Sequence, residues 1–330
     1  MGSENPTQIA DGGKTNQTKG SLVKVVVKAN EGNWKQPAEN EIFHIDEDAN
    51  FPKINFELEL EANQECIWTW NIQWAAATSG LRESKKRGKM IKQWSEKGKQ
   101  IHGTNSWMAD LNGSCLGGTL TVSVKSGEKT FRRSVRILGT NPSEDKIRAY
   151  IATFEEVPGF DRIVAKESTY KQFINADREP VVTFDGGYGL TQLTNPKPKY
   201  TEVWDWKANI RTGIKLYQAK RMEAKNYLAG GKNGKRSYTE EQLELETWCR
   251  WNSGRYHEWD DKNKKWVRNP KILNDNETAN IGWDITRPEN KGKTEKELHN
   301  RDKDEYSKPP TKDSLWRYSG IVYADHIKSD

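Results

Sequence analysis

Residues 160–174 read FDRIVAKESTYKQFI, and this stretch decides which fold is predicted for the second half of the chain. Its apolar side chains recur at helical spacing, which predicts a helix with one apolar face. The residues near that stripe are Phe160, Ile163, Val164, Tyr170 and Ile174. Glu167 falls inside it. A carboxyl group buried among apolar side chains resists ionisation and can serve as a general acid, whereas a structural Glu would be paired with a lysine or a backbone donor.

The sequence on both sides of this stretch predicts further helices. Upstream, Ser143 can cap a helix whose apolar stripe runs from Ile147 to Phe154. Downstream, a long helix is predicted from about Trp206 to Leu228, and Thr239-Glu240-Glu241-Gln242 is a capping box that opens another. Residues 141–330 are therefore predicted to form a mainly α-helical domain.

The first part of the chain instead alternates apolar and polar residues, which predicts β-strands. The alternating runs are residues 22–27, 54–60, 66–74, 120–124 and 131–138. Together they predict an immunoglobulin-like β-sandwich over residues 21–140, which makes the fold class α+β. Residues 1–20 are polar and are expected to be a flexible tail. The basic segment from Glu83 to His102 is expected to be a loop or a helical excursion.

The three cysteines leave two interpretations open. Cys66 and Cys115 would suit a disulfide bridge between the sheets of the sandwich, and buried free thiols explain the same positions equally well. Neither the cysteine spacing nor the acidic stretches at Asp260-Asp261 and Asn274-Asp275-Asn276-Glu277 match a metal site. No metal and no cofactor is expected.

Length and composition narrow the class of protein. A chain of 330 residues is long enough for two domains, and its 14 tryptophans are far more than a disordered chain would carry. The net charge of +6 favours an anionic partner, such as nucleic acid, a membrane surface or an acidic cell wall. Because the basic residues are interspersed with Asp and Glu and no nucleic-acid motif is present, nucleic acid is not expected. Neither membrane insertion nor a signal peptide is expected, so synthesis in the cytoplasm is predicted.

Four short motifs occur in a characteristic order. They are Glu167-Ser168, Gly189-Leu190-Thr191-Gln192, Trp251-Asn252-Ser253-Gly254 and Tyr323-Ala324-Asp325-His326-Ile327. In this order and at these separations they resemble the lytic transglycosylase and goose-type lysozyme superfamily, whose pattern is Glu-Ser, Gly-Leu-Met-Gln, Ala-Tyr-Asn-x-Gly and a closing Tyr-Ala or Tyr-Val helix. The resemblance covers roughly residues 143 to 328, interrupted by an insertion at 256–314. Thr191 and Trp251 depart from the pattern.

The resemblance implies a lysozyme-like domain that cleaves the β-1,4 bond between N-acetylmuramic acid and N-acetylglucosamine in peptidoglycan. Glu167 would be the general acid. The residues expected to line the substrate groove are Ser168, Tyr188, Gly189, Gln192, Trp251, Asn252 and Tyr323. Trp251 keeps a face that can stack on sugar but lacks the phenolic hydroxyl of the family's tyrosine. In the insertion, Trp259 and Trp266 flank the turn of a predicted hairpin, where they would either form a groove wall or pack on each other.

The route of the reaction depends on a second carboxylate. Hydrolysis with inversion needs a water-activating carboxylate ~6.5–9.5 Å from the acid, whereas lytic transglycosylases use the single Glu and form a 1,6-anhydro product. Goose-type lysozymes carry a water-orienting Asp shortly before the second motif, and Asp185 is the closest candidate here. Hydrolysis is favoured slightly. Asp185 is also a typical turn residue in Asp-Gly-Gly.

A β-sandwich before a wall-cutting domain resembles the lytic enzymes of secretion spikes and phage tails. The chain is therefore expected to be a bacteriolytic muramidase, delivered as an antibacterial toxin to the periplasm of a target cell and docked through its N-terminal domain. The expected partners are the glycan strands, the delivery apparatus and an inhibitor (immunity) protein. The alternatives are a lytic transglycosylase and a non-catalytic wall-binding or tail-structural protein.

Overall fold

The computed structural model describes residues 32–60, 64–79, 87–231, 234–307 and 310–329. The fold is mixed α+β, with seven α-helices and several sheets in these residues. Contacts divide the chain into two compact units. The first unit is Met1–Pro142 with Lys171–Trp206, and the second is Ser143–Tyr170 with Lys207–Asp330. The predicted tail at residues 1–20 and the predicted strand at residues 22–27 lie outside the described residues.

Two sheets make up most of the first unit. Their strands are β1 (Trp34–Gln36), β2 (Glu41–Ile45), β3 (Asn55–Leu58), β4 (Cys66–Ala77), β5 (Met90–Lys97), β6 (Ile101–Gly103), β7 (Ser106–Met108), β8 (Gly118–Ser126) and β9 (Lys129–Gly139). The larger sheet has the order β2-β9-β8-β4-β5, and β6 also pairs with β4. All its pairings are antiparallel except that of β2 with β9, which is parallel. The smaller sheet has the order β1-β3-β7.

The two sheets share one aromatic core. Every second residue of β4 is buried, as the alternating sequence predicts, and this places Trp68 and Trp74 inside. Trp68 contacts Trp107 of β7 at a ring distance of 6.1 Å, and Phe56 of β3 stacks on Trp107 at 5.9 Å. Cys66 and Cys115 are free thiols, as is Cys249 in the second unit. Burial raises the pKa of all three, so they remain protonated at neutral pH.

The prediction of a loop or a helical excursion for the basic segment 83–102 is wrong for the residues that form β5 and the start of β6, and residues 83–86 lie outside the described residues. Strand β5 pairs with residues 71–77 of β4 and lies at the sheet edge. Only Trp94 of β5 is buried, so the strand has no alternating apolar pattern. The period-two signal requires one buried face, which this strand largely lacks.

The predicted domain 141–330 differs from the contact-based division in one segment. Lys171–Trp206 belongs to the first unit because its apolar side chains complete that unit's core. Within this segment, α3 (Tyr200–Trp204) supplies two aromatic anchors. Tyr200 stacks on Trp94 at 5.4 Å and donates a 2.7 Å hydrogen bond to the Gly117 carbonyl, and Trp204 meets Trp74 edge to face at 5.3 Å.

Helices provide the frame of the second unit. They are α1 (Glu144–Ile151), α2 (Phe160–Ser168), α4 (Trp206–Leu228, whose first residue belongs to the first unit), α5 (Glu240–Trp251) and α7 (Ile321–Ser329). Ser143 caps α1 and Thr239 opens α5 with a capping box, as predicted. The helix around Glu167 is shorter than its apolar stripe. It ends in left-handed backbone at Thr169 and Tyr170, so Ile174 lies beyond it.

The insertion at residues 256–314 has a small core of its own. Strands β10 (His257–Asp260) and β11 (Lys265–Arg268) form the predicted hairpin, and β12 (Ile272–Asn274), β13 (Ile281–Asp284) and β14 (Trp316–Tyr318) form a separate sheet next to α6 (Glu295–Asp302). Trp259 and Trp266 pack on each other at 5.1 Å, which is the second of the two predicted arrangements. The carboxylate of Glu246 on α5 is buried and accepts the backbone N–H groups of Tyr256 and His257, which joins the hairpin to this helix.

Candidate functional site

Glu167 lies in the last turn of α2, with its side chain half-buried. Two side chains distant in sequence donate to the same carboxyl oxygen. The indole Nε1–H of Trp251 donates to Oε1 at 2.9 Å, and the hydroxyl of Tyr323 donates to Oε1 at 2.6 Å. Both donors are uncharged. The two hydrogen bonds to Oε1 hold the carboxyl group in one orientation.

Trp251 is placed by the way α5 ends. Its ring packs edge to face on Phe160 of α2, with the ring centroids 5.9 Å apart. The helix then closes in a Schellman motif, in which Ser253 N–H bonds the Arg250 carbonyl at 3.1 Å and Gly254 N–H bonds the Cys249 carbonyl at 2.9 Å. The left-handed residue of this motif is Ser253 and not Gly254, which the glycine rule would have favoured.

Glycine is required at 254 by packing. A Cβ there would overlap the backbone oxygen of Ser319, just before α7. Gly320 follows with a φ of +64°, and a Cβ on it would overlap the Cys249 carbonyl oxygen of α5. The end of α5 and the start of α7 therefore meet at backbone distance, which brings Trp251 and Tyr323 to one carboxylate.

Tyr323 is 8% exposed on α7. Burial, together with the neighbouring Glu167 carboxylate, raises its pKa well above the ordinary tyrosine value. The hydroxyl therefore stays protonated through neutral and mildly alkaline pH and remains a donor to Glu167. One turn further along α7, Arg162 of α2 donates to the Ile327 carbonyl at 3.4 Å, so α2 and α7 are also linked directly.

Ser168 and Asn252 follow Glu167 and Trp251 directly in sequence, and both have roles in the helices to which they belong. Ser168 is 1% exposed, and its hydroxyl donates to the Val164 carbonyl at 3.0 Å within α2. That side chain faces the interior, so the structure gives no support to the predicted contact with substrate. Asn252 is the C-cap of α5 and is half-buried beside Trp251, which leaves its predicted substrate contact a prediction.

The other predicted site residues belong to the first unit, where the second motif forms a closed turn. Asp185 is exposed, and its Oδ1 lies 2.7 Å from the Thr183 hydroxyl. Gln192 uses its amide locally, since Oε1 lies 2.8 Å from that same hydroxyl and Nε2 donates to the Gly189 carbonyl at 2.7 Å. This matches the loop-capping role of an amide, and it leaves the predicted role of Gln192 on a saccharide without support.

Tyr188 and Gly189 are buried in this turn. The ring of Tyr188 is 3% exposed and meets Trp94 edge to face at 5.8 Å, and its burial raises its pKa. The ring is therefore a core side chain in this structure, although the sequence predicted a substrate contact. Gly189 has a φ of +68°, so the turn itself requires a residue that tolerates left-handed backbone.

Sequence reasoning missed one supporting residue of the site. Asp325 lies two positions after Tyr323, and it accepts the Tyr256 hydroxyl at 2.6 Å and pairs with Arg268 at 2.9 Å. These bonds tie α7 to the hairpin of the insertion. The sequence shows Asp325 as an acidic residue inside the fourth motif. Its role could not be predicted, because its partners lie 57 and 69 residues away in sequence.

Neither a metal cluster nor a membrane-spanning helix is found in the residues that the structure describes. No group of three or more His, Cys, Asp or Glu residues there could hold a metal ion. No helix among them is long and apolar enough to cross a membrane. Comparison of the chain with protein-family models, with curated proteins and with solved structures finds no match.

Proposed function

We propose that this protein is a lysozyme-like muramidase that cleaves the β-1,4 bond between N-acetylmuramic acid and N-acetylglucosamine, with Glu167 as the general acid. The observation that carries the proposal is the double hydrogen bond from Trp251 and Tyr323 to Oε1 of Glu167. It fixes the position of one carboxyl oxygen and the orientation of the group. Glycosidic cleavage requires a proton, delivered to the leaving oxygen from a defined position.

The same two bonds suit a carboxyl group that changes its protonation state during turnover. Oε1 is the carbonyl oxygen when Glu167 is protonated on Oε2, and it is a carboxylate oxygen after the proton has left. It accepts from the Trp251 indole and the Tyr323 phenol in both states. The site therefore does not have to rearrange when the proton moves, which is the preorganisation that enzymatic acid catalysis uses.

The lytic transglycosylase route is the second candidate. Asp185, the carboxylate predicted to orient water, is engaged in its own turn by the Thr183 hydroxyl. This favours a reaction in which Glu167 acts alone, first as the acid and then as the base that activates the sugar's own 6-hydroxyl. Hydrolysis through Asp185 stays the prediction from the sequence.

The first unit would be an immunoglobulin-like docking domain in this proposal. Its two-sheet architecture around one core supports that role. The chain would then be delivered to the periplasm of a target cell by a secretion spike or phage tail, with an immunity protein protecting the producer.

Mass analysis of digested cell wall tests the proposal. Purified full-length protein is incubated with insoluble peptidoglycan, and the soluble products are identified. Muropeptides with new reducing ends are expected for hydrolysis, and 1,6-anhydro ends for transglycosylation. If the protein sediments with the wall but releases no soluble product, it is a wall-binding protein and the enzymatic proposal fails.

A further inference from the structure

A pocket of about 490 Å³ lies on the larger sheet of the first unit, on the face turned away from the core. It crosses the neighbouring strands β9, β8, β4 and β5. Its volume falls within the range of pockets that bind ligands, ~300–1,000 Å³. Successive side chains of a strand point to opposite faces, and Trp68, Ile72 and Val122 point into the core. The residues between them therefore face the pocket.

Neutral polar side chains form the floor of this pocket. Asn71 of β4 pairs with Thr121 of β8 in the antiparallel register. Ser95 donates to Oδ1 of Asn71 at 3.2 Å, so the amide N–H groups of Asn71 stay available. The side chains of Gln73 and Ser123 form no hydrogen bond with any residue that the structure describes. The floor therefore offers amide and hydroxyl groups that can donate and accept.

Two cations without an ionic partner lie at opposite ends of this floor. Lys97 on β5 and Arg132 on β9 are exposed, and neither forms a salt bridge with a described residue. The next residue of β9 differs, since Arg133 pairs with Glu39 at 3.4 Å. No acidic side chain is among the described residues that line the pocket. The pocket is therefore positively charged and attracts an anionic ligand.

The separation of the two cations indicates the shape of the ligand. Three strand spacings lie between β5 and β9, which places the backbones of Lys97 and Arg132 ~14 Å or more apart. A compact ion such as phosphate does not span this distance. An elongated ligand with separated negative charges contacts both cations, and its middle part lies over the amides and hydroxyls of the floor.

We propose that this pocket binds an acidic polysaccharide, with sugar carboxylates at Lys97 and Arg132 and sugar hydroxyls on the floor between them. A guanidinium matches a carboxylate through two parallel N–H donors. Sugar hydroxyls both donate and accept, as the amides and hydroxyls of the floor do. The binding does not depend on the proposed cleavage at Glu167, and it gives the first unit a ligand of its own.

Other polyanions match the pocket less well. Single-stranded nucleic acid binds by stacking its bases on aromatic rings, and Trp70, the aromatic residue in the pocket wall, is only 2% exposed. An acidic polypeptide supplies carboxylates but lacks the row of hydroxyls that the floor is suited to bond. The combination of separated cations and a neutral hydrogen-bonding floor therefore favours the polysaccharide.

Binding of the full-length protein to two forms of one polymer tests the proposal. Calorimetry compares polygalacturonate with its methyl ester, which has the same sugar backbone and hydroxyls but no charge. The acid form should bind, and the ester should bind about tenfold more weakly, because it lacks two ion pairs that each contribute about threefold. Added salt should weaken binding of the acid form. No binding of polygalacturonate, or equal binding of the two forms, overturns the proposal.

Charge-removing variants locate the binding in the pocket. Lys97→Gln and Arg132→Gln should each weaken binding of polygalacturonate about threefold, and the losses should add in the double variant because the two sites are distant. Lys53→Gln is the matched control, since Lys53 is an exposed cation of the same unit that precedes β3 of the smaller sheet. It should bind as tightly as wild type. Wild-type affinity in the double variant, or an equal loss in the control, contradicts the proposal.

A further variant separates the polysaccharide from other polyanions. Gln73→Leu keeps the charge of the pocket but removes an amide. It should weaken binding of polygalacturonate about fivefold, the effect of a neutral hydrogen bond, and leave binding of polyglutamate unchanged. Tighter binding of polyglutamate or of single-stranded DNA than of polygalacturonate overturns the proposal, because it assigns the pocket to another class of macromolecule. None of these outcomes affects the proposed function of Glu167.

Discussion

Trp251 stands where the resembling motif has a tyrosine, and this exchange changes what the side chain can do for Glu167. An indole N–H can only donate, whereas a phenol can donate or accept. In the structure the indole donates to the same oxygen as Tyr323, and its ring is supported by Phe160. The Trp251 indole is therefore a fixed donor to Glu167.

We predict that Trp251→Phe lowers kcat/KM on peptidoglycan about tenfold or more. The phenylalanine keeps an aromatic ring against Phe160 but removes the N–H donor, and a hydrogen bond to a charged group is worth ~1.5–3 kcal/mol. The rate of release of soluble fragments is the measurement. Trp248→Phe is the control, since it makes the same change one turn earlier on α5, at a side chain that packs near Gly159.

If Trp251→Phe and Trp248→Phe are equally active, the indole donor has no part in the reaction. If both variants lose activity together with stability, the effect belongs to packing. Unfolding free energies from urea titration separate these outcomes, because only a positioning role lowers kcat while leaving the fold as stable as in the control.

At the scale of elements, the contact between α5 and α7 determines the site. The two helices meet through backbone at Gly254 and Gly320, and the thiol of Cys249 lies 3.4 Å from the Ser319 carbonyl oxygen. Because no side chain separates the two backbones at this junction, a displacement of one helix displaces the other. Moving α7 by the width of a methyl group would separate Tyr323 from Oε1 of Glu167.

Gly254→Ala should therefore destabilise the second unit by ~1–3 kcal/mol, the range for overpacking, and lower activity more than its effect on stability alone explains. Gly254 does not have a positive φ, so the cost would be purely steric. Gly292→Ala is the matched control, because Gly292 has a φ of +72° with open space around it and should cost only ~1–2 kcal/mol of backbone strain. Equal activity of Gly254→Ala and wild type would show that the junction tolerates displacement.

The sequence predicted those elements whose signal is local. The runs at 54–60, 66–74, 120–124 and 131–138 correspond to β3, β4, β8 and β9, and the capping residues Ser143 and Thr239 start their helices. It missed elements without a local signal. β5 is exposed along most of its length, and β2 pairs in parallel with a strand about 90 residues later.

The same limit applies to the site. Glu167 was found because an acid on an apolar stripe is a local anomaly. Its contacts with Trp251 and Tyr323 span 84 and 156 residues and depend on how three helices pack. The local hydrogen bonds of Gln192 and the burial of Tyr188 could not be predicted from the sequence either. A motif gives the types of its residues but not the direction in which their side chains point.

At the scale of the whole molecule, both compact units bury tyrosines. Tyr200 is buried in the first unit, and Tyr217 and Tyr323 are buried in the second. Burial is the main cause that raises the pKa of each. In the unfolded chain these hydroxyls ionise near pH ~10, whereas in the folded chain they retain their protons to higher pH.

The buried thiols of Cys66, Cys115 and Cys249 add to this effect, since their pKa is raised as well. The free energy of unfolding should therefore begin to fall above about pH 8.5, where cysteines of the unfolded chain ionise, and fall more steeply above about pH 10, because the unfolded state then binds fewer protons than the folded state. Urea titrations at a series of pH values from about 8 to about 11 measure this, and near-ultraviolet absorbance reports tyrosine ionisation. Tyr323→Phe should reduce the alkaline slope. A slope that is absent in the wild type would contradict the burial of these hydroxyls.

The most direct test of the central claim is the rate at which Glu167→Gln releases soluble fragments from peptidoglycan, compared with wild type. Glutamine keeps the shape of the side chain and an oxygen that can accept from Trp251 and Tyr323, so circular dichroism and unfolding free energy should be close to those of wild type. With the proton donor gone, the rate should fall ~100- to 10,000-fold. A rate equal to that of wild type in the folded variant would contradict the assignment of Glu167 as the general acid.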